Sequence, residues 1–225
     1  MPKLSVIIPT YNEAGTVKQL IEKVNSVPID KEIIIIDDGS TDDTKRVIRE
    51  IKLPNLKIIY HSSNRGKGSA FLTGLSNASG EFVIIQDADL EYDPNDYLKL
   101  MDAANLNSGA MVLGARFKEG HKGLFIHRLG NRTLTWILNL IFASHLNDYA
   151  TCYKLARLEL FKSLNLRAKS FDLETEIVCK AIRRKTKIID IPVNYYPRNY
   201  REGKKIRFKD ALWAVYYMLK FRFIN

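Results

Sequence analysis

Four consecutive isoleucines, Ile33–Ile36, constrain this chain more than any other feature. Successive side chains of a strand point to opposite faces, so a strand over Glu32–Ile36 is suited to burial on both. Such a sheet needs helices on each side, and the flanking sequence supplies them. Leu4–Ile8 is a second β-branched strand, ended by Pro9. Val17, Leu20, Ile21 and Val24 recur at helical spacing within a helix expected from about Ala14 to Ser26. Ser40 or Thr41 is expected to cap the next helix, with Asp42 and Asp43 in its first turn. The alternation continues through strand Leu56–Tyr60, helix Ser69–Ser76, strand Phe82–Ile85, helix Asn95–Asn107 and strand Met111–Gly114. This rhythm predicts an α/β fold: a doubly wound, mostly parallel sheet with helices on both faces.

Beyond Arg116 the pattern loosens. A polar Gly/Lys/His loop over residues 118–123 leads into an apolar helix from about Arg128 to Ala143, followed by helix Glu174–Arg184 and strand Lys187–Asn194. With no internal repeat or linker, residues 1–225 are expected to form a single domain. The C-terminal helix carries one apolar face: Phe208, Ala211, Leu212, Val215, Tyr216, Leu219 and Phe223. Three placements suit it: packed on the domain, lying on an anionic bilayer, or in a homodimer contact.

The net charge of +10 is concentrated at the C-terminus, where residues 198–225 hold eight Lys/Arg against Glu202 and Asp210. No recognisable nucleic-acid-binding motif accompanies these cations, so no nucleic-acid partner is expected. Cys152 and Cys179 form no close-spaced pair, and the four histidines are scattered, which excludes a disulfide framework or a Cys/His metal site. Met1-Pro2-Lys3 leads straight into a strand, and the most apolar stretch, Leu134–Ala143, has about half the length a spanning helix needs. The expected setting is the cytoplasm, with peripheral contact at the inner face of the cell membrane if the C-terminal helix binds lipid.

The chemistry gathers at strand ends. Ligands of open α/β sheets bind beyond the carboxyl ends of the strands, where Asp37, Asp38, Asp87 and Asp89 are all expected. Asp87 and Asp89 flank Ala88 after a short apolar run. On an extended backbone, residues two apart point to one side, an arrangement suited to a hard divalent cation shared with a diphosphate. Asn64-Arg-Gly-Lys-Gly68 brings glycines and cations, Lys67 among them, to another strand-to-helix connection, where backbone N–H groups can approach phosphate. Its spacing matches neither the dinucleotide fingerprint nor the P-loop.

In order, Val6-Ile-Ile-Pro-Thr-Tyr-Asn-Glu13, Ile36-Asp-Asp-Gly-Ser40, Asn64-Arg-Gly-Lys-Gly-Ser-Ala70, Gln86-Asp-Ala-Asp-Leu90 and Gly114-Ala-Arg116 resemble the successive signatures of glycosyltransferase family 2, which has the GT-A fold. Within it, the chain is similar to the dolichyl-phosphate mannose synthase branch and its bacterial polyprenyl-phosphate relatives. The resemblance implies an inverting, metal-dependent transfer of a hexose from a GDP- or UDP-sugar to a polyprenyl phosphate. The alternative is a saccharide or other hydroxyl acceptor, or less readily a non-catalytic nucleotide-sugar-binding module. It divides the chain into a nucleotide-sugar half, 1–116, and an acceptor half, 117–225. Pro9, Tyr11 and Glu13 would line the nucleotide site, and Ile36 and Asp38 would hold base or ribose. Lys67 and Ala88 would join the donor contacts, while Asp87, Asp89 and Glu91 would hold Mg²⁺ or Mn²⁺. Arg116 would face the sugar phosphate. Arg198 and Lys204, in a late Arg-Asn-Tyr-Arg-Glu-Gly-Lys element, would reach phosphate, although Arg201 and Gly203 depart from the family's Gly and Ser there. Ala150 stands where close relatives often have Glu. An alcohol acceptor would need a carboxylate base, Asp148 first and Glu174 second, with Glu176 a further acceptor-half carboxylate.

Overall fold

A computed structural model describes residues 2–116, 125–170, 172–197 and 208–223. Its strands are β1 (Leu4–Thr10), β2 (Lys31–Asp37), β3 (Leu56–Tyr60), β4 (Phe82–Ile85), β5 (Met111–Ala115), β6 (Lys154–Arg157) and β7 (Ile188–Pro192). They form one sheet in the order β3-β2-β1-β4-β6-β5-β7. Every pairing is parallel except those of β6, which runs antiparallel to both β4 and β5. The isoleucine strand behaves as its composition demands: Ile33–Ile36 are fully buried, as is every residue of β1 and β4. Only layers on both faces achieve this, and α1 (Val17–Ser26), α2 (Thr44–Glu50), α3 (Lys67–Ser76), α4 (Tyr97–Leu106), α5 (Phe125–Phe142), α6 (Leu158–Ser163), α7 (Leu173–Arg183) and α8 (Phe208–Phe223) supply the helices.

One local expectation changes, and two elements arise that the sequence pattern did not show. Neither Ser40 nor Thr41 caps α2. The Ser40 hydroxyl accepts from the Asn12 backbone N–H at 3.0 Å, Thr41 pairs with the Asn12 side chain, and Asp42 accepts from the Thr44 N–H at 3.0 Å instead. Strand β6 and helix α6 had no readable pattern, because Lys154-Leu-Ala-Arg157 places a lysine and an arginine in a four-residue strand.

Helix α8 packs against α5 and α7. Met218 and Phe221 are buried, and Arg183 Nη1 donates to the Phe221 carbonyl at 3.0 Å. The face with the clearest apolar spacing points away: Leu212, Tyr216, Leu219 and Phe223 are exposed. Among the described residues, no helix is long and apolar enough to cross a membrane.

Candidate active site

Parallel register brings the ends of β1 and β2 level, with Thr10 opposite Asp37. Beside them β4 ends at Ile85, and β5 ends at Ala115, immediately before Arg116. Because β6 runs the other way, its start at Lys154 lies at this same edge, and residues 148–153 arrive there from the second half of the chain. Asp38, Asp87, Asp89, Arg116 and Asp148 therefore gather along one edge.

Asp38 is buried and fully engaged. Its carboxylate meets His61 Nδ1 at 2.6 Å and accepts from the backbone N–H groups of Arg65 and Gly66, the latter at 2.7 Å. It organises the glycine turn, a role that the expected ribose or base contact did not include. Asp37 is also fully buried; its oxygens have no hydrogen bond among the described residues, and Lys45 Nζ stands 3.9 Å away.

The turn itself is built for backbone contact. Gly66 has φ +90°, and a Cβ there would lie 2.2 Å from the Lys169 carbonyl oxygen; at Gly68 it would lie 2.5 Å from that of Ala168. The Ser69 N–H donates to the Lys169 carbonyl at 3.2 Å. The 168–169 backbone occupies the space beside both glycines, so their lack of a side chain serves this close approach of chain to chain. Glu176 fixes that backbone, accepting from the N–H groups of Arg167 and Ala168, so it faces the chain rather than an acceptor.

Lys67, the first residue of α3, lies between two carboxylates, 2.6 Å from Asp87 Oδ1 and 2.6 Å from Glu174 Oε1. Burial works against its ammonium, yet Asp87 and Glu174 hold its pKa well above the usual lysine range. Burial also opposes ionised Asp87, and Lys67 more than offsets this, lowering the carboxyl's pKa. Behind Asp87, Gln86 is fully buried. Its Nε2 donates to the Asp87 carbonyl at 2.8 Å, and its Oε1 accepts from Tyr97 and Tyr153 hydroxyls at 2.5 and 2.7 Å.

The expected extended Asp-Ala-Asp geometry is also corrected. Residues 88–89 form a turn, Leu90 has φ +61°, and Asp89 Oδ1 accepts from the Glu91 N–H at 3.1 Å. Ala88 is buried beneath this turn. Among the described residues, no three Asp, Glu, His or Cys side chains form a metal cluster. Glu91 therefore does not complete a triad; its Oε2 accepts from the Tyr195 hydroxyl at 2.6 Å. Two hard carboxylates on one turn do fit Mg²⁺ or Mn²⁺, which bind through one or two carboxylates plus substrate phosphate.

Arg116 and Asp148 form a buried, two-pronged ion pair. Nε donates to Oδ2 at 2.7 Å, Nη2 to Oδ1 at 2.8 Å, and the Arg116 backbone N–H adds a third bond at 3.1 Å. Burial opposes the guanidinium, but Asp148 carries its pKa well above the usual value. The guanidinium carbon lies 5.3 Å from the centre of the Tyr195 ring. Asp148 thus holds Arg116 in place, a geometry that weighs against its service as a base.

Lys154 is fully buried and donates to the Thr151 carbonyl. Burial pulls its pKa from 10.5 to about 8. Below pH 8 both folded and unfolded lysine are protonated, so the full cost of burying the charge is present; between 8 and 10.5 the folded form loses its proton first and that cost disappears. Stability of the wild type relative to Lys154→Met should therefore rise by on the order of 3 kcal/mol from pH 7 to pH 10.5, measured by urea unfolding. A difference independent of pH would contradict this assignment.

Of the other expected residues, Pro9 lies within β1, and Ile36 is core, its Cδ1 packed against Gly74 of α3. Tyr11 and Glu13 follow β1, with the Glu13 carboxylate accepting from the Thr16 hydroxyl at 2.8 Å. Arg198 and Lys204 lie outside the described residues. Sequence reasoning missed His61, Gln86, Lys154 and Tyr195. For Tyr195 a signal existed, since it lies three residues beyond the end of β7, which runs parallel to the β5 strand that Arg116 follows.

Comparison with known proteins agrees with the fold. The model of Glycosyl transferase family 2 matches residues 5–191. A dolichol-phosphate mannosyltransferase of Pyrococcus furiosus is 28% identical over 211 residues, 90% of this chain and 59% of that protein. An undecaprenyl-phosphate 4-deoxy-4-formamido-L-arabinose transferase of Edwardsiella ictaluri is 27% identical, over 89% of this chain and 62% of that protein. The chain thus spans less than two thirds of the length of these curated relatives. Glucosyl-3-phosphoglycerate synthase of Mycobacterium tuberculosis, solved with Mn²⁺, UDP-glucose and phosphoglyceric acid, superposes with a TM-score of 0.73 at 21% identity, covering 100% of this chain and 81% of that one. With the family model matching most of its length, the chain belongs to glycosyl transferase family 2.

Proposed function

We propose that the chain transfers a hexose from a nucleoside diphosphate sugar with Mg²⁺ or Mn²⁺ at Asp87 and Asp89. The observation that carries this reading is the placement of these two carboxylates and the Arg116–Asp148 pair at one sheet edge in a family 2 chain. When bound, the metal supplies Lewis-acid stabilisation of the diphosphate leaving group. Asp148 and the Tyr195 ring hold the Arg116 guanidinium for the same developing charge, without reorganisation during reaction. Lys67 holds one oxygen of Asp87, and Gln86 anchors its carbonyl, so the turn is pre-set. Inversion at the anomeric carbon is expected from the family resemblance.

The acceptor divides two readings. A hydroxyl acceptor is favoured by the phosphoglyceric acid held in the synthase structures that share this fold. It would need a base; Arg116 engages both oxygens of Asp148, whereas Lys67 engages Oε1 of Glu174, so Glu174 is the less encumbered carboxylate. A polyprenyl phosphate is favoured by the names of the curated relatives. As a phosphate monoester with a second pKa near about 6 it is largely dianionic at pH 7 and needs no base. Both cysteines are free and buried, which suits the cytoplasm as the site of reaction. A turnover panel decides the acceptor: GDP- and UDP-hexoses with Mn²⁺, offered phosphoglyceric acid, simple saccharides or a short polyprenyl phosphate. Turnover with only one acceptor class settles between the readings. No metal-dependent turnover or hydrolysis of any nucleotide sugar would overturn transfer itself.

A further inference from the structure

One of the two carboxylates assigned to the divalent cation is already held by a cation of the chain itself. Lys67 Nζ lies 2.6 Å from Asp87 Oδ1 and 2.6 Å from Glu174 Oε1, so a single ammonium bridges two carboxylates. Lys67 opens α3 beside the glycine turn, whereas Glu174 stands in the first turn of α7, 107 residues further on. The bridge is largely shielded from solvent, with side-chain exposures of 16% for Lys67, 26% for Asp87 and 12% for Glu174. Charges interact more strongly there than at an open surface. A second ammonium, on fully buried Lys154, acts on both Asp87 and Glu174, and the Cys152 thiol bonds to Asp87. At pH 7 Lys67 and Lys154 therefore balance Asp87 and Glu174 charge for charge.

We propose that Lys67 is a positioning residue that competes with the divalent cation for Asp87, and that Glu174 is the carboxylate onto which it withdraws. The inference rests on the assignment of the cation to Asp87 and Asp89. Cations that share one carboxylate repel, so Lys67 weakens cation binding until a nucleoside diphosphate brings compensating negative charge. Lys67 thereby ties the two ligands together, and by linkage each raises the affinity of the other by the same factor. Keeping the Asp87 turn in shape and yielding its oxygen are successive duties of one ammonium. Glu174 makes the second duty possible, because a lysine held from two sides keeps a partner when it lets go of one.

Mn²⁺ binding to the whole chain tests this, read from the loss of the free-ion electron paramagnetic resonance signal with and without UDP or GDP. Without nucleotide, Lys67→Met should bind Mn²⁺ roughly tenfold or more tightly than the wild type, because the competing charge is gone. Glu174→Gln should bind it roughly threefold or more weakly, because Lys67 then bears on Asp87 alone. A bridge that merely supports the fold would weaken binding in both variants. Thermal unfolding checks that each is folded, and if Lys67→Met is not, the direction of the Glu174→Gln change decides. Nucleotide-dependent Mn²⁺ binding to the wild type, with unchanged or weaker binding to folded Lys67→Met, would overturn this inference alone. Unchanged or tighter binding to Glu174→Gln would do the same. No Mn²⁺ binding to the wild type with either nucleotide would overturn the assignment of the cation to Asp87 and Asp89, and this inference with it.

Discussion

Asp148→Asn is expected to lower the unfolding free energy by about 3–5 kcal/mol, the usual cost of leaving a buried charge without its partner. Both members of the pair are buried, and Arg116 makes three hydrogen bonds to Asp148, at 2.7, 2.8 and 3.1 Å. An asparagine retains one acceptor oxygen, but its amide meets an N–H donor at the second position. Activity should fall with stability, because the guanidinium would lose its fixed position over Tyr195. Chemical denaturation separates this role from that of a base. A simple base would be replaced by asparagine with loss of turnover and little change in stability. The double variant R116M/D148L sharpens the distinction: removing both charges should recover much of the lost stability while leaving transfer absent. A D148N protein of wild-type stability would contradict the positioning role.

Gly66→Ala is expected to cost on the order of 3 kcal/mol or more. The backbone at φ +90° is one that residues with a Cβ rarely adopt, a strain of about 1–3 kcal/mol by itself. The added methyl would also meet the Lys169 carbonyl at 2.2 Å, a backbone atom that no side-chain rotation can move aside. Displacing residues 168–169 would reach the site through Glu174, since α7 follows that segment and Glu174 holds Lys67 against Asp87. Thermal unfolding measures the first effect, and metal-dependent nucleotide affinity the second. Gly15→Ala provides the comparison: nothing lies within 4 Å of the added Cβ, and little change is expected.

What was legible in the sequence follows physical rules with short range. Strand burial could be read from Ile33–Ile36 because composition alone demands two covered faces. Parallel order followed from alternation, and with it the gathering of Asp38, Asp87, Asp89 and Arg116 at one edge. Partners separated by long stretches of chain were not legible. Nothing near Asp38 announces His61, and nothing near Arg116 announces Asp148, although family resemblance drew attention to both carboxylates. The glycine turn shows the same limit: its glycines were visible, but the occupant of the space they leave comes from residues 168–169. Helix α8 illustrates a different failure. Its apolar periodicity was correct, yet the helix packs through Met218 and Phe221 and turns the more regular stripe outward. Periodicity identifies a face without naming what covers it.

The central claim is that Asp87 and Asp89 carry a divalent cation that binds a nucleoside diphosphate. Calorimetric titration of UDP and GDP, with and without Mn²⁺, into the wild type and Asp89→Asn tests it most directly. The account predicts that one nucleotide binds the wild type at least roughly tenfold more tightly with Mn²⁺, about 1.4 kcal/mol, and that Asp89→Asn abolishes this increment while remaining folded. Equal nucleotide affinity with and without Mn²⁺ in the wild type, or an undiminished increment in the variant, would contradict it.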